Sequence, residues 1–252
     1  MATTEVFGQR VFYRSGRVEF PADGRGIVFL HGAGGNGQIW HMQRRLLGEG
    51  RFACAPDLPG HGRSEGQASD SVEAYADVVM AFLDAVGIRH ATLVGHSMGG
   101  AVAQTCALSC PDCVENLVLI GTGAKLTVAP VIFTVLRQAP ETFAEIAQGF
   151  AFAAGTAPGL RATILEFLDP RVALTDFIAC DRFDARERID AIRARTCVIV
   201  GAEDRMTPPK WSRFLSEKIP GAEYHEIPEA GHMAMIEKAD AVAAVLHSFL
   251  RP

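Results

Sequence analysis

Short, continuously apolar runs alternate with amphipathic stretches along most of the chain. Such runs are typical of strands buried on both faces of a parallel sheet, and the stretches between them are typical of helices that cover those faces. We predict strands at residues 27–30, 52–55, 91–94, 117–120 and 197–200, with a more polar candidate at 224–227. This order of elements predicts an α/β fold with a mostly parallel, twisted sheet and helices on both faces.

The start of the chain departs from this pattern. Two apolar stretches, Val11-Phe12-Tyr13 and Val18-Glu19-Phe20, flank the turn-forming pair Ser15-Gly16. Two strands separated by such a pair are typical of a hairpin. We therefore predict an N-terminal antiparallel hairpin with its turn at residues 15–16.

Several helix boundaries are marked by capping and breaking residues. Asp70-Ser71-Val72-Glu73 has the form of a capping box, and the amphipathic segment that follows ends at Gly87. Pro208-Pro209 begins a second helix, which stops before Pro220-Gly221. A last helix is predicted over about 239–250.

Between residues 120 and 197 the alternation of strands and helices stops. The interval holds only helical patterns interrupted by prolines, and it is too long for an ordinary connection. We predict that residues 123–185 form a helical cap inserted into an α/β core made of residues 1–122 and 186–252. Ligands bind at the carboxyl ends of parallel strands, so we expect the cap to lie over that edge. Its phenylalanines suit an apolar pocket or simple packing against the core equally well.

Composition excludes several classes of function. Hydrophobic residues make up 48% of the chain and charged residues 21%, as in a compact globular protein. Lys and Arg total 24 against 29 Asp and Glu, a formal charge of −5 that argues against a nucleic-acid partner. The chain shows neither a signal-peptide pattern nor an apolar stretch long enough to span a bilayer. We expect a cytoplasmic protein with no membrane partner, and the sequence leaves its oligomeric state open.

The six cysteines are predicted to be free thiols, because no export signal accompanies them. Cys106, Cys110 and Cys113 have the spacing of one helical face, which raises the question of a metal site. No histidine joins them, and Pro111 interrupts the helix before Cys113. We therefore predict no metal there.

The segment Gly95-His96-Ser97-Met98-Gly99 matches the G-x-S-x-G pattern directly after a predicted strand and directly before a helical segment. In that context the glycines allow a sharp turn that displays the serine at its tip. The helix amino terminus behind the serine offers unpaired N–H groups to a developing oxyanion. We predict that Ser97 is a catalytic nucleophile.

A serine hydroxyl needs a base to take its proton, and that base needs a group to orient it. His232 lies on the loop after the last predicted strand, where the chain order Ser, Asp, His expects the base. Asp204 follows the predicted strand 197–200 directly and is our choice for the orienting acid, with Glu203 as the alternative. His61 is assigned to a helix or loop surface.

The glycine-rich segment Leu30-His31-Gly32-Ala33-Gly34-Gly35 follows the first long apolar strand. It fits the loop that supplies the second oxyanion donor, and we predict the backbone N–H groups of Ala33 and Met98 as the pair. A phosphate-binding loop is the alternative, but neither a lysine nor G-x-G-x-x-G spacing accompanies it.

Taken together, these residues resemble the α/β-hydrolase fold family, in particular its capped, cytosolic members. The segment Pro56-Asp57-Leu58-Pro59-Gly60-His61-Gly62-Arg63-Ser64 also looks like the family's turn after the second crossover strand. The resemblance covers all of the chain except the insertion. It implies a serine hydrolase that acts on a carboxylic ester, thioester or lactone, and this chemistry requires neither a metal nor an organic cofactor.

Other chemistries of the family fit less well. Haloalkane dehalogenases and epoxide hydrolases carry an aspartate where Ser97 stands, and dehalogenases typically have a tryptophan where Met98 stands. The ring-opening tyrosines of epoxide hydrolases lie in the cap, whereas the tyrosines here lie at positions 13, 75 and 224. The meta-cleavage carbon–carbon hydrolases commonly have an asparagine where His96 stands, and they remain an alternative. A slow-turnover ligand receptor on the same fold is a second alternative.

Overall fold

The computed structural model describes residues 2–16, 23–47 and 52–251. In that part of the chain, eight strands form one sheet: β1 (Ala2–Val6), β2 (Gln9–Ser15), β3 (Arg25–Leu30), β4 (Ala53–Pro56), β5 (His90–His96), β6 (Val114–Ile120), β7 (Arg195–Gly201) and β8 (Glu223–Ile227). Their order is β1-β2-β4-β3-β5-β6-β7-β8. The pairs β1–β2 and β2–β4 are antiparallel, and the remaining pairs are parallel. The predicted fold class is confirmed.

Helices connect and cover these strands. They are α1 (His41–Leu46), α2 (Val72–Ala85), α3 (Met98–Ser109), α4 (Pro130–Gln138), α5 (Phe143–Ala151), α6 (Pro158–Ala162), α7 (Ile164–Phe167), α8 (Pro170–Arg182), α9 (Pro209–Lys218), α10 (Ala234–Glu237) and α11 (Ala239–Phe249). Short 3₁₀ turns lie at Gly37–Trp40, Pro140–Thr142 and Ile189–Ala191. The Ser71 side chain caps α2 by accepting a hydrogen bond from the Ala74 N–H.

The strands in the middle of the sheet, β3 to β7, are buried on both faces, which explains their continuous apolar runs. On β3, Val28 and Leu30 pack in the hydrophobic cluster that contains the apolar residues of α2 and α3. Their neighbours Ile27 and Phe29 point to the opposite face and pack in a second cluster, which includes residues of α11. Each of these four residues therefore packs against one of the two helix layers.

The N-terminal hairpin is present, but its predicted turn is wrong. The structure joins β1 to β2 at Phe7 and Gly8, which both have positive φ (50° and 73°), the backbone that a tight two-residue hairpin requires. Ser15 belongs to β2 and pairs with Cys54 of β4. The strand continues through Ser15 because β4 supplies its partner, which local sequence does not reveal. The predicted second arm at 18–20 lies outside the described residues.

The prediction that all six cysteines are free thiols is also wrong. Cys110 and Cys113 form a disulfide with a Cα–Cα distance of 5.4 Å. Helix α3 ends at Ser109, and the chain then folds back so that the Cys113 N–H donates to the Cys110 carbonyl at 3.1 Å. That turn brings the two thiols together. The other cysteines are free and buried.

Helices α4 to α8 lie between β6 and β7, in the interval where the sequence lacks a strand pattern. The two ends of this interval meet: the Ala185 N–H donates to the Ala124 carbonyl at 2.7 Å, and Lys125 pairs with Asp184 at 3.3 Å. None of the helices described has the length and apolar character needed to cross a membrane.

Candidate active site

Ser97 occupies the single residue between the end of β5 and the start of α3. Its backbone has φ 53° and ψ −118°, a conformation that L-residues rarely adopt. Strained backbone of this kind persists only where the surrounding structure enforces it, and it occurs preferentially at functional sites. Ser97 is partly exposed, whereas the residues on either side of it are buried.

Two glycines make this turn possible. A Cβ at Gly95 would lie 2.2 Å from the Gly99 carbonyl oxygen, and a Cβ at Gly99 would lie 2.3 Å from the Leu30 carbonyl oxygen. Real Cβ atoms do not approach backbone so closely, so only glycine fits at either position. The motif therefore allows α3 to pack directly against β3 and β5.

His232 and Asp204 are brought together from two loops that follow β8 and β7. His232 Nδ1 lies 2.9 Å from Asp204 Oδ2, and both residues are 3% exposed. Glu203 is exposed and instead accepts a hydrogen bond from the Ala154 N–H. Burial by itself would raise the pKa of Asp204, but the charge and hydrogen bond of His232 hold that pKa below its usual value. The carboxylate is thus charged and faces the imidazole.

Thr207 completes this arrangement, and sequence reasoning missed it. Its hydroxyl donates to Asp204 Oδ2 at 2.7 Å and lies 3.1 Å from His232 Nδ1. The N–H groups of Met206 and Thr207 donate to the other Asp204 oxygen at 2.9 and 2.8 Å. Thr207 immediately precedes the proline pair at the start of α9. This position, three residues after Asp204, is the sequence feature that could have indicated its role.

His96 supports the loop that carries His232. Its Nε2 lies 3.0 Å from the His232 carbonyl oxygen, and the two rings are 4.5 Å apart. A carbonyl only accepts, so His96 Nε2 carries the proton and Nδ1 carries a lone pair. Burial, with the adjacent His232, lowers the pKa of His96 well below its usual value. This imidazole is therefore neutral.

Ala33 and Met98 are the residues predicted to supply the oxyanion donors. Ala33 lies in the loop after β3 and lines the same cavity as Ser97 and His232. Met98 is the first residue of α3, so its N–H has no partner within the helix. No hydrogen bond between residues that the structure describes uses the N–H of either residue.

Ser97 opens onto two apolar cavities. The smaller cavity has a volume of about 60 Å³ and is lined by His232 and Ala33. Its other walls include phenylalanines of the segment between β6 and β7, namely Phe143, Phe150, Phe167 and Phe177. The larger, of about 510 Å³, lies between residues 126–132 and the start of α9, with Trp211 in its wall. Ser97, Phe150, Phe177 and Met206 line both.

The assignment of His61 to the surface is wrong. His61 is 1% exposed, and its Nε2 lies 2.7 Å from Oδ2 of Asp176, a residue of α8 that is fully buried. The sequence carried no signal for this pair, because an aspartate within a helical pattern is normally solvated. As for metals, no group of three or more His, Cys, Asp or Glu side chains that could hold an ion occurs among the described residues.

Comparison with known proteins agrees with the geometry. The chain matches the model of the alpha/beta hydrolase family over residues 27–245. It is 29% identical over 248 residues to 2-hydroxymuconate semialdehyde hydrolase of Pseudomonas sp. (strain CF600), a match that covers 89% of this chain and 86% of that protein.

Two solved structures are also similar. A thermophilic esterase matches with a TM-score of 0.86 and 36% identity, covering 99% of this chain and 96% of the esterase. The enol-lactonase from Burkholderia xenovorans LB400 matches with a TM-score of 0.89 and 26% identity, covering 99% of both chains. This chain belongs to the alpha/beta hydrolase family, and the predicted hydrolytic enzyme class is confirmed.

Proposed function

We propose that this enzyme hydrolyses uncharged carboxylic esters through an acyl-enzyme on Ser97. His232 acts as the base, Asp204 orients it, and the N–H groups of Ala33 and Met98 stabilise the oxyanion. The observation that carries the proposal is the buried His232–Asp204 hydrogen bond at the cavity onto which Ser97 opens.

The reaction follows from the positions of these groups. His232 Nδ1 faces Asp204, which leaves Nε2 to take the proton from the Ser97 hydroxyl as Oγ bonds to the ester carbonyl carbon. The negative charge that forms on the carbonyl oxygen is held by the two amides. When the carbon–oxygen bond of the ester breaks, Nε2 returns its proton to the leaving alcohol. Water then repeats the same steps and releases the acid.

The Ser97 hydroxyl makes no hydrogen bond to a described residue. Hydrogen bonds between catalytic groups are often long in unliganded enzymes and shorten when the substrate binds. We expect the contact between Ser97 Oγ and His232 Nε2 to form in the substrate complex.

Residues 123–185 serve in this proposal as the cap that encloses the substrate. Its helices supply the phenylalanines of the smaller cavity, and residues 126–132 form one wall of the larger. Both cavities are mainly apolar, and apolar walls with a few convergent polar groups are typical of small-molecule sites. An ester with an apolar chain suits this lining.

Carbon–carbon bond hydrolysis is the second candidate, because of the similarity to 2-hydroxymuconate semialdehyde hydrolase. A substrate of the dienoate type carries a carboxylate, which needs a cationic partner when it leaves water. Among described residues that line either cavity, Arg205 is the only lysine or arginine, and its guanidinium already donates to the carbonyls of Gly149 and Phe152. This lining favours an uncharged ester.

The proposal is tested with p-nitrophenyl esters of short and medium acyl length, a thioester, a lactone and a meta-cleavage dienoate, each with wild-type enzyme and Ser97→Ala. We expect sustained turnover of the esters by wild type, labelling by a fluorophosphonate, and neither in Ser97→Ala. Wild-type esterase rates in Ser97→Ala would refute the mechanism. A single burst without sustained turnover would favour a slow-turnover receptor, and faster turnover of the dienoate would favour the carbon–carbon hydrolase.

We also propose a cytoplasmic location, and cell fractionation would test this location. The Cys110–Cys113 disulfide is the observation against it, since disulfides are rare in cytosolic proteins.

A further inference from the structure

A fully buried carboxylate from α8 reaches the loop that carries Ala33. Asp176 is 0% exposed and accepts three hydrogen bonds: from the Gly34 N–H at 2.7 Å, from His61 Nε2 at 2.7 Å and from the Tyr75 hydroxyl at 2.6 Å. Burying a charge is costly unless every lone pair is well used. The hydrogen bond from the Gly34 N–H to this carboxylate therefore indicates a role beyond packing, because Gly34 adjoins Ala33.

His61 balances the charge of Asp176. Its Nδ1 faces the Pro59 carbonyl oxygen at 2.9 Å, and its Nε2 faces the carboxylate. The Pro59 carbonyl only accepts, so Nδ1 carries a proton, and a carboxylate facing Nε2 favours a second proton there. Burial by itself would lower the pKa of His61, but the hydrogen bond and charge of Asp176 raise it overall.

Gly34 is held on both sides by the segment that contains α8. Its N–H donates to Asp176, and its carbonyl accepts from the Asp169 N–H at 2.7 Å. The backbone has φ +68°, and a Cβ there would lie 2.8 Å from Leu168 and 3.1 Å from Ala173. Gly34 is thus docked against α8, which fixes the peptide plane after Ala33.

The peptide plane before Ala33 is fixed from the core. The Gly32 carbonyl accepts from the Gly35 N–H at 3.1 Å and from His31 Nδ1 at 2.9 Å. His31 Nε2 in turn accepts from the Leu58 N–H at 3.0 Å, which determines that Nδ1 carries the proton. In a planar trans peptide the N–H points opposite to the preceding carbonyl. The Ala33 N–H is therefore directed away from His31.

We propose that Asp176 is a positioning residue, which orients the Ala33 N–H toward the reacting carbonyl by holding the Gly34 amide. The inference rests on the proposed function in one respect, that Ala33 donates to the oxyanion. It makes the helical segment between β6 and β7 part of the oxyanion site, because Asp176 and Asp169 belong to that segment and Ala33 does not.

The test compares Asp176→Asn and Asp176→Ala with wild type on p-nitrophenyl butyrate. Asparagine keeps an acceptor for Gly34 but loses the charge, whereas alanine loses both. We expect kcat to fall about 10-fold in Asp176→Asn and about 10²-fold in Asp176→Ala, with KM changed less than about threefold, since loss of an entire oxyanion donor costs about 10²- to 10³-fold. Affinity for an alkyl trifluoromethyl ketone, which forms a tetrahedral oxyanion on the serine, should fall in parallel with kcat/KM.

Tyr75→Phe is the matched control. It removes the Tyr75 hydrogen bond to the same carboxylate, together with the one that Tyr75 accepts from the Ser69 N–H, and leaves the Gly34 contact in place. We expect a lower midpoint of thermal unfolding with kcat within about twofold of wild type. This separates loss of stability from loss of oxyanion geometry.

Wild-type kcat and trifluoromethyl ketone affinity in folded Asp176→Ala would overturn the inference. If Asp176→Ala does not fold, Asp176→Leu, which keeps the bulk of the side chain but has no acceptor for the Gly34 N–H, takes its place, and the same outcome there overturns the inference. Failure of wild type to turn over esters or to be labelled at Ser97 would refute the proposed function instead, so the two failures are distinguishable.

Discussion

The Thr207 hydroxyl and His232 Nδ1 lie 3.1 Å apart and contact the same oxygen of Asp204, at 2.7 and 2.9 Å respectively. The three groups form a closed triangle in a buried site. A hydroxyl that donates its single proton to the carboxylate still has a lone pair for the imidazole N–H. Thr207 therefore fixes both the position of the carboxylate and the plane of the ring.

Replacing this hydroxyl should slow the reaction without abolishing it. Thr207→Val keeps the shape but removes a hydrogen bond to a charged group, which is worth about 1.5–3 kcal/mol. We expect kcat to fall about 10-fold or more, because 1.4 kcal/mol corresponds to a factor of ten. Thr207→Ser keeps the hydroxyl and should remain within about threefold of wild type. Equal kcat values for the valine and serine variants would show that the triangle has no part in the rate.

The two neighbouring carboxylates should differ sharply in their effect. Asp204→Asn leaves an amide opposite His232 Nδ1 and favours the wrong tautomer of the ring, which in triads typically costs about 10⁴-fold in kcat. Glu203→Gln removes the exposed neighbouring charge and should leave kcat within about twofold of wild type. Steady-state kinetics on one ester decides between them. A larger loss in Glu203→Gln than in Asp204→Asn would reverse the assignment.

Filling the larger cavity should change acyl-chain preference. Val128 is partly buried in the wall of the 510 Å³ cavity. We expect Val128→Trp to lower kcat/KM for p-nitrophenyl octanoate about 10-fold and to spare the acetate, since only the long chain needs that space. Ile146→Trp on α5 introduces the same side chain at an exposed position outside the lining of both cavities and serves as control. If Val128→Trp lowered kcat/KM equally for the octanoate and the acetate, the acyl chain would not bind in the larger cavity.

Stability should decline as the pH falls from about 6.5 towards 3, in part because of His31. Burial, followed by the effect of His61, lowers the pKa of His31 from 6.5 to about 3. In that window the unfolded chain binds a proton at His31 that the folded protein excludes, so the free energy of unfolding decreases by up to about 1.4 kcal/mol per pH unit from this group. Urea unfolding of His31→Gln between pH 7 and 4 should show a slope reduced by about that amount.

His41→Gln, at an exposed position of α1, is the control for this experiment and should keep the wild-type slope. An unchanged slope in His31→Gln would mean that His31 is protonated in the folded protein, contrary to its two hydrogen bonds.

Much of the fold could be predicted because the determining forces act locally. The run at 27–30 is apolar at every position because helices cover both faces of β3, and Ser71 marks the start of α2 because its side chain caps the helix there. The hairpin turn was misplaced because the strand character of Ser15 comes from its pairing with Cys54, a partner distant in sequence.

The candidate site shows the same division. The sequence alone determined that a serine would follow β5 in a turn only glycines permit. It also determined that an aspartate would follow β7 and a histidine would follow β8, because neighbouring residues in the chain determine where strands end and turns form. Only the tertiary structure decided that Thr207 contacts both Asp204 and His232, that Asp176 crosses from α8 to the Gly34 amide, and how large the cavities at Ser97 are. Those features depend on burial and hydrogen bonding between segments far apart in the chain, which local pattern does not encode.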